Sequence, residues 1–181
     1  MPRLRPVVLA LLLSACAPRE EPWDRLVLED LDGKRVGLAA SPTVLVFLES
    51  DCPVSNKYAP ELARLCKEYG SRLSFFAVYP GGSPAEAESH RRSYGKPCPA
   101  VIDADRRLAR AARIEVVPEA AVFVPGRGLV YHGRIDDRFA DVGVERAAPT
   151  THDLEEALRS VVKGEVPAPP TGRAVGCPVP P

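Results

Sequence analysis

The sequence predicts a mixed α/β sandwich built on one central sheet. Three observations carry that reading. Apolar, β-branched runs at 43–48 and 73–79 look like strands buried on both faces, and each is followed by helical spacing. The segment 120–135 reads as two strands around a Pro-Gly-Arg-Gly turn. A last helical stretch at 150–163 closes the order. Strands that alternate with helices and then end in a hairpin and a helix make three layers, α/β/α, around a mixed sheet. There is no internal repeat, and 181 residues suit one domain with a core of its own.

Each element has a local reason. An N-terminal β-hairpin is expected over 26–38, with Asp32-Gly33 as its turn. A helix over 53–69 follows from the spacing of Tyr58, Leu62, Leu65 and Tyr69, with Pro53 in the first turn and Gly70 past the end. Ser83 and the acids behind it open a helix to about residue 94. A short strand at 100–103 and a short helix at 106–113 follow. Thr150 and Asp153 read as a capping box for the last helix, which Gly164 ends. The stretch 165–181 is proline-rich and is expected to form a tail without regular packing.

The N-terminus reads as an address. Arg3 and Arg5 precede an apolar stretch at 7–13, too short to span a bilayer as a helix, and Leu13-Ser14-Ala15-Cys16 follows. This resembles a bacterial lipoprotein signal. The resemblance implies removal of 1–15, a lipid on Cys16 and a tether at 16–22 that holds a domain at 23–164 off a membrane. An ordinary secretory signal cut nearby is the alternative. Either places the chain outside the cytoplasm, on the periplasmic side, where disulfides persist. Ala17 gives no inner-membrane retention signal, so the outer membrane is favoured.

Charge is balanced, 24 basic against 24 acidic residues, which leaves no electrostatic footprint for nucleic acid. No partner of that kind is expected, nor a metal: cysteines and histidines are not clustered at zinc spacing, and His90, His132 and His152 are scattered. A monomer is expected. The dense stretch Arg134, Asp136, Asp137, Arg138 reads as a solvated loop or, alternatively, as a dock for a partner or for the tail.

The chemistry centres on Cys52, which follows a buried strand and precedes a helix. Functional groups gather at the carboxyl ends of parallel strands, and amides at a helix start favour a thiolate. With Cys16 set aside, Cys52, Cys66, Cys98 and Cys177 allow three pairings. Cys66 lies about 20 Å along the helix that starts at Cys52. Cys98 precedes a strand that must run back toward Cys52 if parallel. Both therefore sit at the far end, and a structural Cys66–Cys98 disulfide is expected.

Cys52 with Ala59-Pro60 eight residues on, and Val117-Pro118 before a strand, resemble the thioredoxin superfamily. CPVSNKYAPEL, VVPEAAVF, YHGRIDDRF and AVGCPVP resemble its extracytoplasmic redoxin branch, related to peroxiredoxins of the alkyl hydroperoxide reductase and thiol-specific antioxidant group. The resemblance covers roughly 22–163. It implies a thioredoxin-like fold, Cys52 as the nucleophile and Pro118 as a cis-proline beside it. Ser55 stands where the second cysteine of a thioredoxin would be, so Cys52 must be resolved by a distant thiol of this chain or by an external one. Cys177 is the remaining partner, and the thirteen residues after Gly164 reach about 40 Å when extended.

The expected function is envelope thiol–disulfide exchange with protein thiols or disulfides, which needs no cofactor. A peroxiredoxin-like thiol peroxidase and a redox-inert binding module are the alternatives. Glu49 stands where peroxiredoxins carry a threonine, which speaks against the first of these.

Overall fold

In the computed structural model, which describes residues 22–179, the central sheet has five strands in the order β5-β4-β3-β7-β8. The expected signal segment and lipidated Cys16 lie outside the described residues, as does the tether up to residue 21.

A single turn of 3-10 helix at Trp23–Arg25 leads into the hairpin β1 (Val27–Glu29) and β2 (Arg35–Gly37). Gly33 takes φ +80° in its turn, a conformation with no steric penalty when Cβ is absent. Then follow β3 (Thr43–Phe47), α1 (Pro53–Lys57), α2 (Ala59–Tyr69), β4 (Ser74–Pro80), α3 (Pro84–Ser93), β5 (Ala100–Asp103) and α4 (Arg107–Ala111). The second half holds β6 (Val116–Val117), β7 (Glu119–Val124), β8 (Gly128–Gly133), β9 (Phe139–Asp141), β10 (Val144–Glu145), α5 (Asp153–Val162) and β11 (Cys177–Pro178).

β3, β4 and β5 run parallel, while β7 pairs antiparallel with β3 and with β8. The sheet is therefore mixed, as the alternation of elements requires. Every residue of β3 is buried, and its side chains alternate between two cores. Val44 and Val46 join Leu62, Leu65, Ala87, Leu154 and Leu158, so α2, α3 and α5 cover one face. Leu45 and Phe47 join Leu26, Leu28, Leu38, Leu108 and Ala112, so the hairpin and α4 cover the other. Cys177 and Val179 pack against this second core, so the tail belongs to that layer.

Four details depart from the sequence reading. The helix expected over 53–69 is broken at Tyr58 into α1 and α2. Pro60 is the cause: it has no N–H to give and its ring crowds the carbonyl four residues back. The expected capping box at Thr150 and Asp153 does not form. His152 is the N-cap without a side-chain bond, and Thr150 Oγ1 donates to Asp137 Oδ2 at 2.5 Å. The small hairpin β9–β10 was not foreseen. The tail, expected to lack regular packing, lies along the body and forms a ladder with β6. The box at Ser83 does form: Glu86 N donates to Ser83 Oγ at 3.3 Å, and Ser83 N to Glu86 Oε2 at 3.1 Å.

Candidate active site

β3 ends at Phe47, and the loop from Leu48 to Asp51 delivers Cys52 to the start of α1. Cys52 is the N-cap of that helix with extended backbone, Pro53 is its first residue, and the Asn56 amide donates to the Cys52 carbonyl at 3.1 Å. Ser55 is buried, and its Oγ accepts the Glu49 amide at 3.3 Å. It ties the loop to the helix that follows it. The broken helix leaves only five residues in α1.

Cys52 is 2% exposed and is bonded to Cys177, with their Cα atoms 6.2 Å apart. Its Sγ lies 3.5 Å from the Val117 carbonyl oxygen, an acceptor for the S–H once the bridge is open. The Val117–Pro118 peptide bond is cis. The structure thus brings Cys52, Pro118 and Cys177 to one place at the carboxyl end of β3. Glu119, next to the proline, is buried opposite His132 at 3.6 Å. Burial pushes its carboxyl up, against the pull of the Glu115 amide and of His132.

The tail reaches Cys52 because its base is fastened. Arg134 Nε donates to Asp153 Oδ2 at 2.8 Å and Arg134 Nη2 to Thr171 Oγ1 at 2.6 Å. The Thr171 amide and hydroxyl both donate to Asp153 Oδ1, at 2.6 and 2.7 Å. Burial alone raises the Asp153 carboxyl, but the Thr171, Arg134 and Thr151 donors outweigh it and hold the group below its usual range. Between Thr171 and Cys177 the chain needs only a short span.

The dense stretch after β8 is therefore a set of internal contacts and not a solvated loop. Arg134 holds the tail, Asp136 accepts the Tyr58 hydroxyl at 2.6 Å, and Asp137 accepts the Thr150 and Thr151 amides at 2.6 and 3.0 Å. Arg138 lies over the Tyr58 ring, 5.7 Å from its centroid. Sequence reasoning did not find Thr171 or the true role of Asp153. Their only signal was a Thr-x-x-Asp spacing that reads as a helix cap.

Cys66 and Cys98 correct an expectation. They meet at the far end of the sheet, as the geometry required, but both are free thiols and no disulfide joins them. Cys98 is buried with its Sγ 3.8 Å from the Leu62 carbonyl oxygen. The hydrogen bond between the two thiols pushes Cys98 up, burial adds to this, and the same bond draws Cys66 down against burial. Cys66 also lines a cavity of about 500 Å³ with Ser41, Ser74 and Pro99. In the native protein Cys66 is expected to alkylate first, with Cys98 protected until the fold opens. Mass spectrometry of timed iodoacetamide reactions checks this, and equal rates would refute it.

Glu61, His152 and Glu155 bring donor atoms within 4.8 Å of one another. Arg64 already pairs with both carboxylates, at 2.6 and 2.5 Å, so a cation would have to displace it. His90 is held between Tyr79 and Asn56, at 2.8 and 2.7 Å.

No protein-family model matches the chain. Over 103 residues it is 31% identical to the thiol-disulfide oxidoreductase ResA of Bacillus subtilis, covering 55% of this chain. The chain spans 58% of that relative's length. An uncharacterized conserved protein from Geobacillus kaustophilus superposes with a TM-score of 0.70 at 23% identity, over 88% of this chain and 90% of that one. A secreted Mycobacterium tuberculosis disulfide oxidoreductase, homologous to E. coli DsbE, gives 0.50 at 18% identity, over 58% of this chain and 80% of its own. The chain has a thioredoxin-like α/β fold, with Cys52 at the carboxyl end of the central strand and the cis bond before Pro118 beside it.

Proposed function

We propose that the chain is a thiol–disulfide oxidoreductase in which Cys52 is the nucleophile and Cys177 resolves it. The observation that carries the reading is the Cys52–Cys177 bond, formed across 125 residues at the carboxyl end of β3 against the cis Val117–Pro118 segment. The similarity to ResA supports the reaction class.

The steps balance as an exchange. The Cys52 thiolate attacks one sulfur of a target disulfide. That S–S bond breaks, and the departing sulfur leaves as a thiolate that takes up a proton. Cys177, as thiolate, then attacks Cys52 Sγ, forms the Cys52–Cys177 bond and expels the second target sulfur. The target gains two electrons and the protein loses two. An external dithiol returns the protein to its reduced state, and with the roles reversed the same steps oxidise a target. Ser55 takes no part: its hydroxyl is occupied by the loop.

The setting belongs to the same proposal. The lipobox at Cys16 supports anchoring on the periplasmic face of a membrane, and the secreted mycobacterial protein of like fold is consistent with work outside the cytoplasm. The 23–164 body and 165–181 tail then act as one redox unit.

Equilibration in glutathione buffers tests the function. The ladder beside the bridge is two residues long and Cys177 is only half-buried, so the bond is expected to open reversibly. Its potential should lie above about −300 mV, where structural disulfides cease to be the norm. A bridge that resists those buffers is a permanent staple, and the protein is then a binding module.

A further inference from the structure

The tail lies where a target would have to lie. β11 pairs antiparallel with β6, Cys177 opposite Val117 and Pro178 opposite Val116, and the Val179 amide donates to the Glu115 carbonyl at 3.0 Å. Among the described residues, β6 has no other strand partner. A foreign sulfur that approaches Cys52 by the path of Cys177 therefore brings its own chain onto this edge.

The edge is selective at the residue before the cysteine. A Cβ added to Gly176 would fall onto the carbonyl carbon and oxygen of Val117 and within 3.1 Å of the Pro118 nitrogen. These are backbone atoms between β6 and β7, so no side chain can swing aside to make room. Gly176 is not in the left-handed region, and the constraint is one of space and not of backbone conformation. The position after the cysteine is open, since Pro178 is exposed. Two places after the cysteine the requirement returns: Val179 packs against the core that contains Leu26, Val117 and Phe123.

Resting on the oxidoreductase reading, we infer that the tail is a built-in copy of the target. The segments Cys52 accepts are extended and carry a glycine directly before the reacting cysteine and an apolar residue two places after it. Target and tail are alternatives on β6. The Cys177 thiolate attacks Cys52 before the tail is paired, the tail settles on β6 once the target sulfur has been expelled, and the fastening at Thr171 keeps Cys177 near until then.

The test uses the full chain with Cys177→Ser, which leaves Cys52 free, and short peptides of the pattern Val-X-Cys-Pro-Val. Their cysteine is activated as a mixed disulfide with thionitrobenzoate. The Cys52 thiolate attacks the peptide sulfur, the S–S bond breaks, and thionitrobenzoate leaves as a coloured thiolate. The peptide with X as glycine should react faster than that with alanine by about tenfold or more, and valine should be slower again. Equal rates for glycine and alanine overturn the inference and leave the oxidoreductase reading standing. If neither the peptides nor free thionitrobenzoate disulfide reacts at Cys52, the oxidoreductase reading falls and takes this one with it. A second measurement needs no foreign peptide. Gly176→Ala in the otherwise unchanged chain should shift the Cys52–Cys177 equilibrium toward the open form by about tenfold. An unchanged equilibrium refutes the fit on which the inference depends.

Discussion

Changing Cys52 to serine is expected to bring disulfide exchange down to the uncatalysed background, while Cys177→Ser stops the reaction one step later. The two variants separate because the roles differ. Without the Cys52 sulfur there is no nucleophile at the carboxyl end of β3, and Ser55, three residues on, has its hydroxyl bonded to the Glu49 amide. A serine hydroxyl at position 52 is a far weaker nucleophile than a thiolate, so a loss of about a thousandfold or more is expected. In Cys177→Ser the first attack proceeds and the mixed disulfide persists, because Cys66 and Cys98 are at the other end of the sheet and cannot reach it. Adducts that dithiothreitol releases should therefore accumulate on Cys52 of this variant and be absent from the Cys52→Ser, Cys177→Ser double variant. Non-reducing gels with peptide mapping show the difference. Adducts on Cys66 in place of Cys52 would show that Cys52 is not the nucleophile and undo the proposed mechanism. Folding should survive both changes, since Cys177 only packs against the second core from its edge and Cys52 is a member of neither core cluster.

What the sequence made legible and what it hid divide along a physical line. The strands β3, β4 and β7 announce themselves because each is an unbroken apolar run that must be buried, and burial sets register. The same patterns place Cys52 at a strand end, and chain direction alone puts Cys66 beside Cys98. Contacts that depend on side-chain direction are another matter. Whether two adjacent thiols bond depends on where their sulfurs point, and Cys98 is turned to the Leu62 carbonyl. The break at Tyr58 was readable from Pro60, but the continuous spacing of Leu62, Leu65 and Tyr69 outweighed it. The tail was least legible. Its prolines signal an extended chain, but extension says nothing about docking. Docking rests in part on Thr171, and a single threonine in a Pro-Pro-Thr-Gly stretch carries no periodic signal. Its partner Asp153 is 18 residues away on another element.

That partner gives the second large effect. Asp153→Ala is expected to destabilise the fold by about 3–5 kcal/mol, the cost of leaving a buried charge without its counter-ion. The Asp153 side chain is 2% exposed and that of Arg134 is 15% exposed, so solvent gives little compensation. Four donors lose their acceptor: Arg134 Nε, the Thr151 hydroxyl, and the Thr171 amide and hydroxyl. Urea unfolding of the reduced protein measures the loss. The sign with pH follows from the carboxyl being held below its ordinary value. The contribution is complete above the unfolded-state value of about 3.9 and is lost only as pH falls through the lower folded value. The stability gap between wild type and Asp153→Ala should thus be constant at neutral pH and narrow in acid. Thr171→Val separates the tail from the helix. It keeps the Arg134–Asp153 pair and removes one hydroxyl, so the body should lose only about 1 kcal/mol. The tail, however, loses part of its fastening. Complete release back to Gly164 would lengthen the segment leading to Cys177 from six residues to thirteen. Each doubling costs about 0.6 kcal/mol of closure entropy, so with the residue 171 amide still bonded to Asp153 the Cys52–Cys177 bridge should re-form more slowly after reduction by at most about threefold. A normal re-formation rate in Thr171→Val would show that the ladder on β6 alone positions Cys177 and that the fastening acts only on stability.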